Sequence, residues 1–318
     1  MNINKISNVI KKSKRVLITT HINSDLDALS CELVMARYLK SIGKKVLIAN
    51  ADSLPDMYRF LKGGNQIKKT KKLSGNYDLI FVFDCGDLNR IGCVKDILPK
   101  GVPIVNIDHH VTNKSFGTYN LVKPKASSSA EVLFEFLIKE KFVLNKDTAE
   151  LLYLGILTDT GSFRYQSTTA YTHEIIAKLL GFNLSVSNLY SKAYENLRAD
   201  DLRILIEALK SFSSYKGGKI LFVDLKKRVL KKVGDKFDLR DKIFSLLRMI
   251  KDTEAVVIFS EDSSKLTKVN FRSSGKVNVA FVAGQHGGGG HKAASGCRYS
   301  GNLKNAKKDI LALLKKQF

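Results

Sequence analysis

Arg15-Val-Leu-Ile-Thr-Thr-His-Ile-Asn-Ser-Asp-Leu-Asp27 decides the reading of this chain. Its first half, residues 16–20, is an apolar, β-branched run that reads as a buried strand. Its second half turns polar and places His21, Asp25 and Asp27 within seven residues. Residues 26–42 follow with Leu26, Leu29, Leu33 and Ala36 at helical spacing. One imidazole and two carboxylates therefore stand in a strand-to-helix loop. In open α/β sheets such a loop, at the carboxyl end of a strand, is where ligands bind. Taken alone, the same pattern reads equally well as a polar loop with Asp25 as a helix N-cap.

Support comes from further along. Residues 45–49, 78–83 and 101–107 are apolar runs, and the last two end in Asp84-Cys-Gly-Asp87 and Asp108-His-His110. Continuous rather than alternating apolarity fits strands covered on both faces, as in a parallel sheet. The ends of parallel strands share one edge, so the three polar clusters converge. Asp84 and Asp87 on their own read more simply as caps of the next segment. Residues 126–139 read as a helix opened by Ser127-Ser-Ser129, and residues 147–158 as a nearly all-apolar, buried one. The latter runs into Asp159, whose charge has the wrong sign for a helix C-terminus. A buried carboxylate there needs a cationic partner.

The chain has 318 residues, enough for two domains, with 44% hydrophobic and 26% charged residues, as in folded globular proteins. Its formal net charge of +23 suits polyanions such as nucleic acid, or reflects lysines spread over a solvated surface. Cys31, Cys85, Cys93 and Cys297 form no C-x-x-C pair, which fits a reducing cytosol. The N-terminus lacks the apolar core of a signal peptide, and no run approaches the ~20 apolar residues of a membrane span. A cytoplasmic protein without membrane partners is expected. Residues 191–214 read as an exposed, charged helical linker between a domain of residues 1–190 and another of residues 215–318. The second domain shows strand runs at 219–223, 255–260 and 266–272 and helices at 239–250 and 302–316. Its glycine run, residues 287–290, is flanked by apolar residues 277–283 and by Ala293-Ala-Ser-Gly296, so it sits inside a domain and not in a flexible connection. Glycines let backbone N–H groups approach a phosphate closely.

As a set, the first domain's polar residues point to metal. Carboxylates and imidazoles without thiolates suit Mn²⁺, Mg²⁺ or Zn²⁺ and exclude an iron–sulfur cluster. Asp25, Asp27, Asp84, Asp108 and Asp159 exceed what one divalent ion needs. Two ions about 3.5–4 Å apart form a known device for phosphoester hydrolysis.

These residues resemble those of the DHH phosphoesterases. His21-Ile-Asn-Ser-Asp-Leu-Asp-Ala-Leu-Ser30, Asp84-Cys-Gly-Asp87, Asp108-His-His110 and Asp159-Thr-Gly161 are similar to the family's four ordered motifs. Phe271-Arg-Ser273 and Gly287-Gly-Gly-Gly-His291-Lys-Ala-Ala-Ser-Gly296 are similar to the DHHA1 domain. The resemblance covers nearly the whole chain and is nearest the nanoRNase/pAp phosphatase subgroup. One departure is Leu26, where the family commonly has glycine.

The resemblance implies an α/β protein: a DHH domain with a mainly parallel sheet, and a smaller α/β DHHA1 domain across a cleft. It implies two divalent cations, Mn²⁺ first and Mg²⁺ second. His21, Asp25 and Asp84 would hold one ion and Asp27, Asp84, His109 and Asp159 the other, with Asp84 bridging. Asp108 would orient His109, and His110 would face the substrate phosphate. Arg272, Ser273, Gly288, Gly289, Gly290 and His291 would grip the end nucleotide, with Arg90 and Arg164 as further phosphate contacts or plain surface arginines. The implied substrates are RNA of two to five nucleotides and 3′-phosphoadenosine 5′-phosphate (pAp). Alternatives are a phosphodiesterase for pApA or cyclic di-AMP, an inorganic pyrophosphatase, and a non-catalytic RNA-binding protein. A homodimer is left open.

Overall fold

The computed structural model describes residues 3–195, 197–233 and 238–317, and the chain divides into two units, Met1–Asn196 and Leu197–Phe318. The first runs α1 (Ile3–Lys12), β1 (Arg15–Thr20), α2 (Leu26–Ser41), β2 (Lys45–Asn50), β3 (Ile67–Lys69) and β4 (Leu79–Phe83). It continues with α3 (Val94–Ile97), β5 (Ile104–Asp108), β6 (Tyr119–Val122), α4 (Ser129–Lys139), α5 (Lys146–Asp159), α6 (Ala170–Leu180) and α7 (Val186–Tyr194). The strand order is β3-β2-β1-β4-β5-β6 and every ladder is parallel. The order reverses between β1 and β4, which opens a crevice beyond their carboxyl ends.

Both faces of this sheet are covered, which is why its strands are apolar throughout. Val16 and Ile18 of β1 and Leu79, Phe81 and Phe83 of β4 pack with the apolar sides of α2, α4 and α5. Leu17, Ile80 and Val82 point the other way, against Ile91 and Val94. The helices start where side chains can cap them. Asp25 accepts the Ala28 N–H at 3.1 Å, Ser128 accepts that of Glu131 at 3.0 Å, and Asn145 and Thr148 cap α5 reciprocally.

The second unit runs α8 (Ala199–Leu209), β7 (Ser213–Tyr215), β8 (Ile220–Leu225), α9 (Lys227–Leu230), α10 (Leu239–Leu247) and β9 (Ala255–Ser263). It ends with β10 (Leu266–Ser273), α11 (Val279–Gly284), β11 (Gly289–His291), β12 (Ala294–Ser300) and α12 (Leu303–Lys315). Its sheet has the order β11-β12-β10-β9-β8-β7 and is antiparallel except for β8 beside β9. Val257, Phe259, Val269 and Phe271 bury one face under α11 and α12. Leu221, Val223, Val256 and Ile258 bury the other under α8 and α10.

One expectation changes here. Residues 191–214 are not one exposed connection: α7 closes the first unit, and α8 turns Leu205 and Ala208 into the core of the second, against Leu221 and Ile258. The charged residues of α8 hide this one-sided apolar stripe. The glycine run is part of a hairpin, with Gly289 opposite Gly296 and His291 opposite Ala294. All four cysteines are free, and no described helix is long and apolar enough to cross a membrane.

Candidate metal centre

The crevice at the reversal point receives its polar residues from five elements. His21 follows β1, Asp25 and Asp27 open α2, and Asp84 follows β4. His109 and His110 follow β5, and Asp159 ends α5. Three groups bring ligand atoms within 4.8 Å of one another: His21, Asp25 and Asp84; Asp27, His109 and Asp159; and Asp84, His109 and His110.

Asp84 sits at the centre and is 3% exposed. One carboxylate oxygen, Oδ2, lies 3.3 Å from His21 Nε2. The other, Oδ1, lies 3.6 Å from His109 Nε2 and accepts the Ser129 hydroxyl at 2.9 Å. Each oxygen thus faces a different histidine. The backbone of Asp84 is left-handed, with φ +50°, an uncommon state for a residue with a side chain. Such strain persists where the surroundings fix it and clusters at functional sites.

The other ligand candidates are held as firmly. Asp27 accepts the backbone N–H groups of Ser129 and Ala130, one on each oxygen, at 2.7 and 2.9 Å. The positive end of α4 therefore orients it. His109 has its Nδ1 3.3 Å from the Ala126 carbonyl, which leaves Nε2 to face Asp159 at 3.1 Å. His21 has its Nδ1 2.9 Å from the Ile22 carbonyl, and its Nε2 likewise faces the cluster. A carbonyl on one ring nitrogen fixes the tautomer that leaves the other as a ligand.

The partner of Asp108 differs from expectation. Its carboxylate pairs with His110 Nδ1 at 2.7 Å, not with His109. Side chains alternate along an extended chain, so residues 108 and 110 share a side and residue 109 points away. Asn113 donates to the second oxygen of Asp108 and also to Asn106. Asp87 does cap and pair, accepting from the Asn89 N–H and the Lys114 ammonium.

The electrostatics describe a cluster short of positive charge. Burial raises the pKa of Asp27 and Asp159, and the charge of Asp84 raises both further. Asp25 keeps an exposed face, yet the protein packed round it and the Asp84 charge raise it too. Burial also opposes ionisation of Asp84, but the bond with His21 and the charges of His110, His21 and His109 outweigh it and hold its pKa low. Burial alone would lower His110; its bond to Asp108 and the charges of Asp84, Asp108 and Asp159 override that and raise it to about 9. Cys31, 4.0 Å from Asp27, is raised by burial and by Asp27 and stays a thiol. The donor set is thus oxygen and imidazole nitrogen, crowded with carboxylates, and it fits hard divalent cations.

Matches to known proteins agree with this arrangement. Residues 15–156 match the DHH family, N-terminal domain, and residues 227–318 match the DHHA1 domain. The chain carries a DHH domain followed by a DHHA1 domain. It is 28% identical over 308 residues to the bifunctional oligoribonuclease and PAP phosphatase NrnA of Thermus thermophilus, covering 95% of this chain and 90% of that one. It is 28% identical over 286 residues to the protein of that name from Bacillus subtilis, covering 88% of each. An exopolyphosphatase-related protein from Bacteroides fragilis superposes with a TM-score of 0.89 at 25% identity, covering 99% of this chain and 95% of that one.

In the DHHA1 domain, the strand register places Arg272 opposite Ala294, and Ala294 opposite His291, so Arg272 and His291 share a sheet face. The Arg272 guanidinium lies over the Phe244 ring at 5.0 Å. Ser273 spends its hydroxyl on the Val277 carbonyl at 2.8 Å and is buried. Gly288 and Gly290 are needed sterically: a Cβ would lie 2.3 Å from the Gly296 carbonyl oxygen or 2.5 Å from that of Ala294. In the DHH domain, Arg90 is exposed, and Arg164 donates to the Gly161 carbonyl at 2.7 Å.

The sequence did not mark Ser129, Asn106 or Asn113. The run Ser127-Ser-Ser129 signals a helix start, and that is all a run of hydroxyls can signal on its own. Only the fold shows Ser129 joining Asp27 to Asp84.

Proposed function

We propose that this DHH–DHHA1 protein is a metal-dependent phosphoesterase that hydrolyses oligoribonucleotides of a few residues to mononucleotides and pAp to AMP. The observation that carries this reading is the Asp84 carboxylate, with His21 on one oxygen and His109 on the other. The NrnA relatives from T. thermophilus and B. subtilis, matched over most of their length, supply the substrate class.

In this reading His21, Asp25 and Asp84 hold one divalent cation, and Asp27, Asp84, His109 and Asp159 hold a second. Mn²⁺ is the first choice and Mg²⁺ the second. Cations held there would supply Lewis-acid chemistry, activating water and neutralising charge on the phosphoryl oxygens. The chain's own groups do the rest. Asp108 fixes His110 through Nδ1, leaving Nε2 for a phosphate oxygen or the leaving oxygen. Ser129 and the start of α4 fix the rotamers of Asp84 and Asp27. Arg272 and His291, with the backbone N–H groups of Gly289 and Gly290, grip the terminal phosphate of the nucleotide; Gly288 shapes the turn, its N–H being given to the Ala283 carbonyl at 2.9 Å. Ser273 shapes the turn beside Arg272 and is not itself a phosphate donor, since its hydroxyl is committed to Val277.

The test offers the purified chain, with Mn²⁺, RNA dimers to decamers, pAp, cyclic di-AMP, pApA and pyrophosphate. Release of mononucleotides from the shortest RNAs and of phosphate from pAp is expected. Turnover of pyrophosphate alone, or of no substrate at all, would overturn the reading.

A further inference from the structure

The contact between Asp108 and His110 is the last link of a chain of amides. Asn106 of β5 is fully buried and gives its side-chain N–H groups to the Val82 and Cys85 carbonyls, each at 3.2 Å, where β4 ends. That leaves its Oδ1 as an acceptor, and Asn113 Nδ2 donates to it at 2.7 Å. The oxygen of Asn113 is occupied in turn, accepting the Ser115 N–H at 2.6 Å. Its Nδ2 also donates to Asp108 Oδ2, with the Cys85 carbonyl a more distant acceptor at 3.3 Å. The other Asp108 oxygen takes His110 Nδ1 at 2.7 Å. An amide has one accepting end and one donating end, so each orientation follows from the one before it. The β4 backbone thereby sets, through two asparagines and a carboxylate, the direction of an imidazole.

The direction matters because the ring stands within reach of a second partner. His110 Nδ1 is 3.6 Å from Asp84 Oδ1, and Asp84, His109 and His110 bring ligand atoms within 4.8 Å of one another. A ring nitrogen that gives its hydrogen to Asp108 has no lone pair to offer a cation. Asp108 holds that hydrogen only while its own carboxylate keeps its place. The carboxylate is fully buried, and Asn113 is the donor to its second oxygen. Leaving a buried acceptor without its donor is unfavourable, so without Asn113 the carboxylate turns to find another.

We propose that Asn113 is a positioning residue for the reaction: by holding Asp108 from behind, it keeps His110 turned to the substrate and out of the group that Asp84 and His109 form. The proposal rests on the function argued above, in which His109 meets a cation and His110 meets the phosphate. It gives adjacent histidines different work by different anchors, the Ala126 carbonyl for His109 and the amide chain for His110. Loss of Asn113 therefore disturbs turnover without removing any group proposed to hold a cation. In this it differs from Ser129, which bonds two of those groups directly.

The variants are Asn113→Ala and Asn113→Asp in the full chain. Aspartate keeps the shape of the side chain but has no N–H to donate, so it preserves a space-filling role and destroys a donor's. Both variants lower kcat on pAp about 10–100-fold, the usual effect of removing an outer partner, with KM changed less than about twofold. Calorimetry finds Mn²⁺ bound as tightly as by the wild type. In a His110→Ala background, Asn113→Ala lowers kcat by less than a further factor of about two, because a residue that acts through His110 then has nothing to act on. A wild-type rate in Asn113→Asp, a Mn²⁺ affinity that falls along with kcat, or the full loss repeated in the His110→Ala background would each overturn the proposal. A wild type that turns over neither RNA nor pAp would end the function reading instead. The positioning is then decided by crystal structures of the metal-free wild type and Asn113→Ala: the Asp108–His110 contact is lost in the variant, and a contact kept at its original length refutes the role of Asn113.

Discussion

At the residue scale the account turns on what holds each carboxylate. Ser129 donates its N–H to Asp27 and its hydroxyl to Asp84, so one residue sets the rotamers of two proposed ligands. Removing such an outer partner typically costs 10–100-fold in metal affinity. Ser129→Ala is expected to weaken Mn²⁺ binding by about that factor, measured by titration calorimetry, with the far-ultraviolet circular dichroism unchanged. Glu32 makes a second prediction. It is fully buried, accepts from Asn50 at 2.9 Å, and burial pushes its pKa up to about 8. The ordinary value lies near 4.5. Between these values the unfolded chain has lost the proton and the folded chain keeps it, so stability falls as pH rises from about 4.5 to about 8 and then levels off. Glu32→Gln removes this decline: it matches wild type at acid pH and is more stable near pH 8, in melting curves taken across that range. At this scale the convergence of His21, Asp25, Asp27, Asp84, His109 and Asp159 was legible because the four segments that carry them each begin where an apolar run ends. Ser129 and the pairing of Asp108 with His110 were not, because they depend on which atoms the fold brings together.

At the element scale two glycines carry the packing. Gly155 of α5 faces α2, and a Cβ there would stand 2.8 Å from both Asp27 Oδ1 and the Ala130 Cβ. Gly155→Ala is expected to displace Asp27, lower Mn²⁺ affinity and cost about 1–3 kcal/mol of stability by overpacking. Denaturant unfolding with and without Mn²⁺ checks both parts. Gly290 has φ +137° and would place a Cβ 2.5 Å from the Ala294 carbonyl. Gly290→Ala is expected to break the β11–β12 pairing and raise KM for pAp more than it lowers kcat. The buried strands were readable as elements because a parallel sheet covered on both faces demands continuous apolar runs. The role of α8 was not, because the residues it turns inward, Ile204, Leu205, Ala208 and Leu209, are mixed with four charged residues and with the exposed Leu202 and Ile206. The glycine run was legible as a domain feature, but its pairing with residues 294–296 required the register.

At the scale of the whole molecule, the sheet order places the carboxyl ends of β1 and β4 side by side, and four separate sequence segments meet there. That convergence leaves a cluster of carboxylates with too little positive charge around it, which cations relieve. A ligand bound only by the folded state raises stability by mass action. Chelation is therefore expected to lower Tm, and added Mn²⁺ to restore it in a concentration-dependent way. The central claim is that Asp84 joins two cations. It is tested most directly by counting metal on the full-length protein and on Asp84→Asn, by mass spectrometry after equilibration with Mn²⁺. The account predicts two ions per chain for the wild type and fewer than one for the variant. A wild type that holds a single ion, or a variant that still holds two, would contradict it.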